Sequence, residues 1–401
     1  MGFIMLCQFT FKNFKSYKDE TVFDMQAINL NEFKDSLLSF EKDSRAFLPV
    51  SVFYGPNGGG KSNILQALAF LVALIIRPIK LSANYQGPPT PYMPCSPFAF
   101  DDTSENEPSE FEIFIRSKEQ EYRYNVSVFE RNIVEEYLYR KAIGGKRTAM
   151  LFERVGGEIT LGSTLSRKNV NLQINQQMPF LSSLAINYKI DAIYDIIHWF
   201  DTCTYNQYNA FRINFMAPGS LETNETFIKI LNEMDINIDA IRIKDDKDFE
   251  IFTQRNRSGK IKELHLQDES SGTVRLFELI PIVILSISQG GLLIVDEMDA
   301  HLHPKLLRYL IRLYKNPQIN KNGAQLIFTS HDLSTMKNDL FRRDEIWFAA
   351  KNNEDASEIY SLYDIKTETN ERVKATTAFD KQYLEGRYGA DPYLSEIHSS
   401  I

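Results

Sequence analysis

Apolar and polar residues alternate in short runs through the first 54 positions, at Phe9, Phe11 and Phe14, at Val22 and Phe23, and at Val50, Val52 and Phe53. A period of two puts alternate side chains on one face, so these runs predict strands, and the apolar start from Met1 to Leu6 predicts another. No basic region precedes that start and no small-residue cleavage site follows it, which argues against a secretory signal. After Phe53 the pattern breaks at Gly55-Pro56-Asn57-Gly58-Gly59-Gly60-Lys61-Ser62. Asn63 to Arg77 then lacks Pro and Gly and is apolar on every side, which predicts a helix buried between a sheet and other helices and ending at Pro78.

Pro, Ser, Asn and Gly dominate from Ser82 to Pro108 and predict a long loop. Phe111 to Ile115, Tyr122 to Phe129 and Ile133 to Tyr139 alternate again, an antiparallel meander. From Gly162 the spacing turns helical, through Phe180, Leu181, Leu184, Ile186, Ile190, Ile193, Ile196 and Ile197, with a second helix predicted over Leu221 to Met234. Strand patterning returns at Ile238 to Ile243, Phe249 to Phe252 and Ile261 to Leu266, the last two joined by a Ser258-Gly259 turn. The remainder alternates: helix Val274 to Ile287, strand Leu292 to Val295, helix Lys305 to Lys315, strand Leu326 to Thr329, then Glu345 to Ala349. Alternation of that kind marks a parallel sheet. The expected class is therefore α/β, with a mostly parallel sheet, an antiparallel β subdomain and an inserted helical subdomain. The expected organisation is an N-terminal lobe over 1–161, the helical insert over 162–234 and a C-terminal lobe over 235–401.

Composition narrows this further. With 43% hydrophobic and 24% charged residues, the 401-residue chain is neither disordered, collagen-like nor a coiled coil. A net charge of −8 excludes a generally basic, nucleic-acid-coating surface but leaves local patches, at Arg255, Arg257, Lys260 and Lys262 and along Lys305, Arg308, Arg312 and Lys315. A solvated face is the plain reading of both, and nucleic-acid binding stays open. Cys7, Cys95 and Cys203 are scattered, which fits neither a disulfide framework nor a zinc site and makes the cytoplasm the expected compartment. The apolar run Ile64 to Ile76 is short for a membrane span, and Leu276 to Val295 is interrupted by Glu278, Pro281, Gln289 and Gly290-Gly291, so both are expected in the core and no membrane partner is expected.

Four constellations carry chemistry. Gly55-x-x-x-x-Gly60-Lys61-Ser62 lies between a predicted strand and a predicted helix, the setting of a phosphate loop. Its glycines let backbone N–H groups turn toward an anion, the helix start adds a positive dipole, Lys61 reaches β and γ phosphates and Ser62 ligates Mg²⁺. Gly55 through Asn63 are accordingly the nucleotide-binding candidates. The strand Leu292 to Val295 ends in Asp296 and Glu297, at the edge where open α/β sheets bind ligands. Asp296 suits Mg²⁺, and Glu297 suits the role of orienting or deprotonating the water that attacks the γ phosphate. Glu269-Ser270-Ser271-Gly272-Thr273 opens an apolar helix, where a hydroxyl and free N–H groups can meet an anion, although an ordinary N-cap has the same appearance. His331 directly follows the strand Leu326 to Thr329, with Ser330 and Asp332 predicted to open another helix.

In this order the four resemble the heads of ABC-type ATPases, more narrowly the compact SMC-, RecF- and OLD-related heads. The resemblance implies a P-loop ABC-ATPase head in which His331 contacts the γ phosphate of ATP in cis. It also implies that Ser270 and Gly272 contact the ATP held by a second subunit, in a head-to-tail dimer with two sandwiched nucleotides. Asn13-Phe14-Lys15-Ser16-Tyr17, Pro97-Phe98, Phe111-Glu112, Glu136-Tyr137-Leu138-Tyr139, Arg342 to Phe348 and Tyr383 to Pro392 are similar to segments of the RloA and AbiL type, from restriction-associated and abortive-infection operons of bacteria. That likeness implies a slow, regulatory ATPase acting as sensor or scaffold in anti-phage defence, with ATP and Mg²⁺. Its implied partners are a second copy, a separate effector from the same operon and a phage trigger protein.

Two alternatives share the motifs. A RecF-like repair ATPase clamping DNA on ATP binding has the same compact size, and the missing heptads exclude long coiled-coil arms. A transporter ATPase is disfavoured by the long, β-rich segment before Ser270. Departures are visible as well: Lys15 stands where Arg is common, Gln86 is a weak candidate for a glutamine loop, and Gly58-Gly59-Gly60 is rich enough in glycine to loosen the phosphate loop. Asp299, His301 and His303 follow the catalytic acids and are expected at the dimer interface rather than on a metal.

Overall fold

Strands account for the alternating runs. A computed structural model describes residues 4–40, 43–82, 93–166, 169–207, 225–245, 249–366 and 370–390. Residues 1–3 of the apolar start, Gln86, the beginning of the helix expected from Leu221, and Asp391-Pro392 lie outside them.

In chain order the strands are β1 (Ile4–Lys12), β2 (Thr21–Asp24), β3 (Leu38–Ser39), β4 (Ala46–Phe47), β5 (Val50–Tyr54), β6 (Ser109–Ser117), β7 (Gln120–Phe129), β8 (Asn132–Ala142), β9 (Thr148–Val155), β10 (Glu158–Leu161), β11 (Thr204–Asn206), β12 (Ala240–Asp245), β13 (Phe249–Arg257), β14 (Lys260–His265), β15 (Leu292–Val295), β16 (Gln325–Thr329), β17 (Ile346–Lys351) and β18 (Ser357–Ser361). The helices are α1 (Lys61–Lys80), α2 (Ser163–Ser166), α3 (Phe180–Asn187), α4 (Asp191–Thr202), α5 (Glu225–Glu233), α6 (Ser271–Gln289), α7 (Pro304–Lys315) and α8 (Phe379–Leu384).

Two large sheets result. One is antiparallel, in the order β10-β9-β8-β7-β6-β1-β2, and the other runs β11-β15-β16-β5-β17-β18 with every pair parallel except the last. The chain thus adopts the expected α/β class. β5, β15 and β16 are buried along their whole length, as strands of a parallel sheet covered on both faces must be. Phe53, Leu292, Ile294 and Ile327 face one core with α1, α3, α4 and the antiparallel sheet. Val52, Tyr54, Leu293, Val295 and Phe328 face the other, with α5, α6 and α7. Gln325 ties the sheets together: its side chain accepts from the Leu6 amide at 2.7 Å and donates to the Leu6 and Leu48 carbonyls at 3.1 Å, where β1 bulges.

Helix α1 does not end before Pro78; it runs through it to Lys80. A proline in the last turn removes one internal bond, and burial of Ile75 and Ile76 holds the turn against that loss. Pro281 likewise lies inside α6 rather than breaking it. By length and composition both helices could cross a membrane. Here they are core helices, α1 between the two sheets and α6 against the far face of the parallel one. The helix expected from Ser330 and Asp332 is only a 3-10 turn, Leu333–Thr335, whose Ser334 amide donates to Asp332 at 2.9 Å.

Within the stretch expected as a helical insert, α2 to α5 are joined by β11, which pairs in parallel with β15 and so forms the edge of the central sheet. Three residues are too few to show a period, so this strand left no pattern in the sequence.

Several family-like segments turn out to be scaffold. Glu136 is fully buried and accepts from the Phe180 and Leu181 amides at 2.7 and 2.9 Å, capping α3, and from the Tyr124 hydroxyl at 2.9 Å. Arg342 chelates Asp344 with bonds of 2.8 and 2.7 Å and donates to the carbonyls of Ile28 and Glu32, while Arg343 pairs with Glu32. Buried Lys315 donates to Glu345 at 2.6 Å. The Arg342 and Arg343 contacts clamp the segment before β3 to the last third of the chain. Tyr383 and Tyr388 pack on Phe348 of β17.

Candidate functional site

The loop expected to bind phosphate, Gly55 to Ser62, connects the carboxyl end of β5 to α1. Gly60 caps α1 at φ 108°, a left-handed conformation that glycine adopts without strain. A Cβ on Gly59 would lie 2.5 Å from the Ala349 carbonyl oxygen. Gly59 therefore seats the loop on β17 and Gly60 lies against Ser357 and Tyr17, while Gly58 faces open space. Tyr17 donates to the Gly60 carbonyl at 3.2 Å, and Asn63 donates to Ser16, whose hydroxyl also meets Ser357 at 2.8 Å. Lys15 donates to Gln66 of α1. The hairpin at Phe14–Tyr17 thus braces the loop from the antiparallel sheet.

Lys61 curls back over the loop, donating to the carbonyls of Gly55 at 2.8 Å and Pro56 at 2.9 Å. Burial holds its pKa below the ordinary lysine value, with Asp296, Glu297 and Asp299 pulling the other way. The lysine and the three acids therefore share one electrostatic environment, although they come from well-separated parts of the chain.

The acids stand at the carboxyl edge of the same sheet. Asp296, 5% exposed, accepts from the Ser62 hydroxyl at 3.0 Å and the Thr329 hydroxyl at 2.7 Å, and its amide donates to the Asn206 carbonyl at 2.9 Å. Glu297 has φ 49° and is held there by its amide, which donates to Thr329 Oγ1 at 2.7 Å, and by Arg275, which donates to its carbonyl at 3.3 Å. His331 follows β16 and its amide donates to Asp299 at 3.1 Å. Hydroxyl and carboxylate oxygens are hard donors, so Ser62 and Asp296 fit Mg²⁺ and not a soft transition metal.

Ser270 caps α6, accepting from the Thr273 amide at 3.1 Å. A Cβ on Gly272 would sit 3.0 Å from the His301 carbonyl, so this turn rests against the stretch that follows Glu297. His303 caps α7 by accepting from the Lys305 amide at 3.2 Å. Among the described residues no three His, Cys, Asp or Glu side chains come together as a metal site.

Thr329, Arg275 and the edge strand β11 were not found from the sequence. β11 delivers Asn206 and then Gln207 to the carboxyl edge beside Asp296, so Gln207 is a second candidate for the glutamine-loop residue beside Gln86. Only strand order reveals this. Thr329 bears on both acids at once, so Thr329→Val is expected to lower stability by about 1–3 kcal/mol, because two polar groups lose a partner in a buried setting. Hydrolysis is expected to fall about 10- to 100-fold from misplacement of Glu297, with nucleotide affinity nearly kept. Thermal unfolding and steady-state turnover check the two parts.

A family profile described as "AAA domain, putative AbiEii toxin, Type IV TA system" matches residues 50–337. That span holds the phosphate loop, Ser270, Gly272, Asp296, Glu297 and His331. No curated protein matches the chain. Among solved structures it is similar to one described as "Structure of the recombination mediator protein RecF-ATPrS in RecFOR pathway", with 13% identity and a TM-score of 0.38, over 89% of this chain and 98% of that one.

Proposed function

The chain belongs to that family of AAA domains, and from this premise we propose that it is an ABC-type ATPase of the RloA and AbiL kind. In this reading it is the cytoplasmic sensor or scaffold of a bacterial anti-phage system and controls a separate effector. The observation that carries the ATPase part is the meeting of Lys61, Ser62, Asp296, Thr329 and Glu297 at one sheet edge. The family description, a toxin of a toxin–antitoxin pair, supports an output directed against the host's own growth.

In this reading Lys61 leaves the Gly55 and Pro56 carbonyls for the β and γ phosphates, and Ser62 and Asp296 hold Mg²⁺. When bound, the ion neutralises charge on the β and γ oxygens. Glu297, half-buried and fixed through Thr329 and Arg275, orients the attacking water and takes its proton. His331 and Gln207 face the γ phosphate from the neighbouring strand ends. Ser270 and Gly272 serve the ATP of a second copy, so nucleotide joins two heads. Charge-assisted hydrogen bonds of about 1.5–3 kcal/mol each are lost with the γ phosphate, which makes the dimer a switch.

Phage plating on a host carrying the native operon tests the biological part. The wild-type gene is expected to protect and Lys61→Ala to abolish protection. Absence of protection against a broad phage panel, together with sensitivity of the deletion strain to DNA damage, would instead favour a repair ATPase.

A further inference from the structure

The hairpin β13–β14 places four cations on one face. Arg255 pairs across the ribbon with Lys262, and Arg257 with Lys260. Residues two apart share a face, so all four project from the same side. Like charges directly opposite one another destabilise a ribbon, and two such pairs in succession call for a counter-charge. Arg255 has one, Glu269, at 2.7 Å. Arg257, Lys260 and Lys262 are exposed and have no ion pair among the described residues. Of the carboxylates the sheet brings alongside, Glu263 is chelated by Arg242 at 2.8 Å, and Asp239 accepts from the Asn256 amide at 2.6 Å, so among the described residues a single carboxylate stands beside the ribbon's cations and leaves that end net positive.

The same face carries buried Ile251 and Thr253 near the base of the ribbon, so the cations begin where the core ends. The ribbon's positive tip stands on a chain of net charge −8. The cations' Cα positions repeat about 6.7 Å apart along a strand and about 5 Å across, a regular array suited to a polyanion rather than to one small anion.

We propose that this ribbon binds duplex DNA, with Arg255, Arg257, Lys260 and Lys262 on backbone phosphates. A two-stranded ribbon fits the major groove of B-form DNA, about 12 Å wide, whereas the corresponding groove of an RNA duplex is deep and narrow. The site also has a route to the ATPase. Glu269 directly precedes the helix cap Ser270 and is held by Arg255 and by Thr253 Oγ1 at 2.5 Å. A phosphate competing for Arg255 therefore loosens the anchor of Ser270. This coupling rests on the ATPase reading; the DNA contact does not.

The test is anisotropy of a short labelled DNA duplex with the full chain, without nucleotide, across a salt series. Wild type and Lys61→Ala are expected to bind alike, so failure of the ATPase reading leaves this result intact. The triple variant Arg257→Gln, Lys260→Gln, Lys262→Gln is expected to bind at least about 10-fold more weakly and to lose about 3 from the salt slope, one per phosphate contact. Lys229→Gln with Lys374→Gln, exposed elsewhere, serves as the control. Equal affinity of wild type and triple variant overturns the proposal. So does tighter binding of polyglutamate, which would make the site one for an acidic protein, or equal binding of the matching RNA duplex, which would remove the groove argument. Glu269→Gln is expected to bind DNA at least as tightly as the wild type, because the competitor for Arg255 is weakened, while losing any change of ATP turnover on DNA addition. An unaltered turnover response in that variant, or a wild type whose turnover ignores bound DNA, overturns the coupling.

Discussion

Lys61→Ala is expected to bind ATP about 10²–10⁴ times more weakly than the wild type, because two charge-assisted contacts of about 1.5–3 kcal/mol each disappear with the ammonium group. The side chain is 6% exposed and sits on the Gly55 and Pro56 carbonyls. Its loss therefore also leaves those two acceptors without their lysine partner, and a modest fall in unfolding temperature is expected beside the loss of binding. Equilibrium binding of a labelled nucleotide checks the first effect and thermal unfolding the second. Affinity within a factor of three of wild type would remove Lys61 from the nucleotide site and with it the core of the ATPase reading.

Glu297→Gln is expected to behave in the opposite way toward the bound state. The amide keeps the shape of the side chain but cannot accept the proton of the attacking water, so hydrolysis should fall about 10²–10⁴-fold. Lys61, Ser62 and Asp296 are untouched, and so are the contacts that hold position 297, which run through its backbone amide and carbonyl. ATP is then bound and not consumed. If Ser270 and Gly272 reach the nucleotide of a second copy, this variant accumulates a dimer with ATP and Mg²⁺ that Lys61→Ala never forms. Light scattering of both variants, with and without ATP, decides: the same mass in all four samples would sink the sandwich while leaving a monomeric ATPase standing.

The strand, glycine loop and helix around Lys61 were legible because each is local: alternation before, glycines within, an apolar helix after. Leu292 to Val295 and Asp296-Glu297 were legible for the same reason. Pro78 misled, since the hydrogen bond it removes from the last turn is offset by burial of Ile75 and Ile76. Glu136 and Arg342 lie in family-like segments, and their work is to cap α3 and to hold the Ile28 and Glu32 carbonyls. Nothing within a few positions of either residue shows this.

The sequence by itself determined the α/β class, the glycine loop between strand and helix and the order of the candidate motifs, because helix and strand periodicity and a glycine-rich turn are properties of neighbours in the chain. Only the tertiary structure decided that β11 stands at the edge of the central sheet, that Thr329 bonds both Asp296 and Glu297, that Gly59 is pressed against Ala349, and that Arg255 reaches Glu269. The physical reason is one of distance. These contacts join segments whose approach is set by strand order and by the packing of two cores, and a hydrogen bond or a close approach between distant residues leaves no period in either of them.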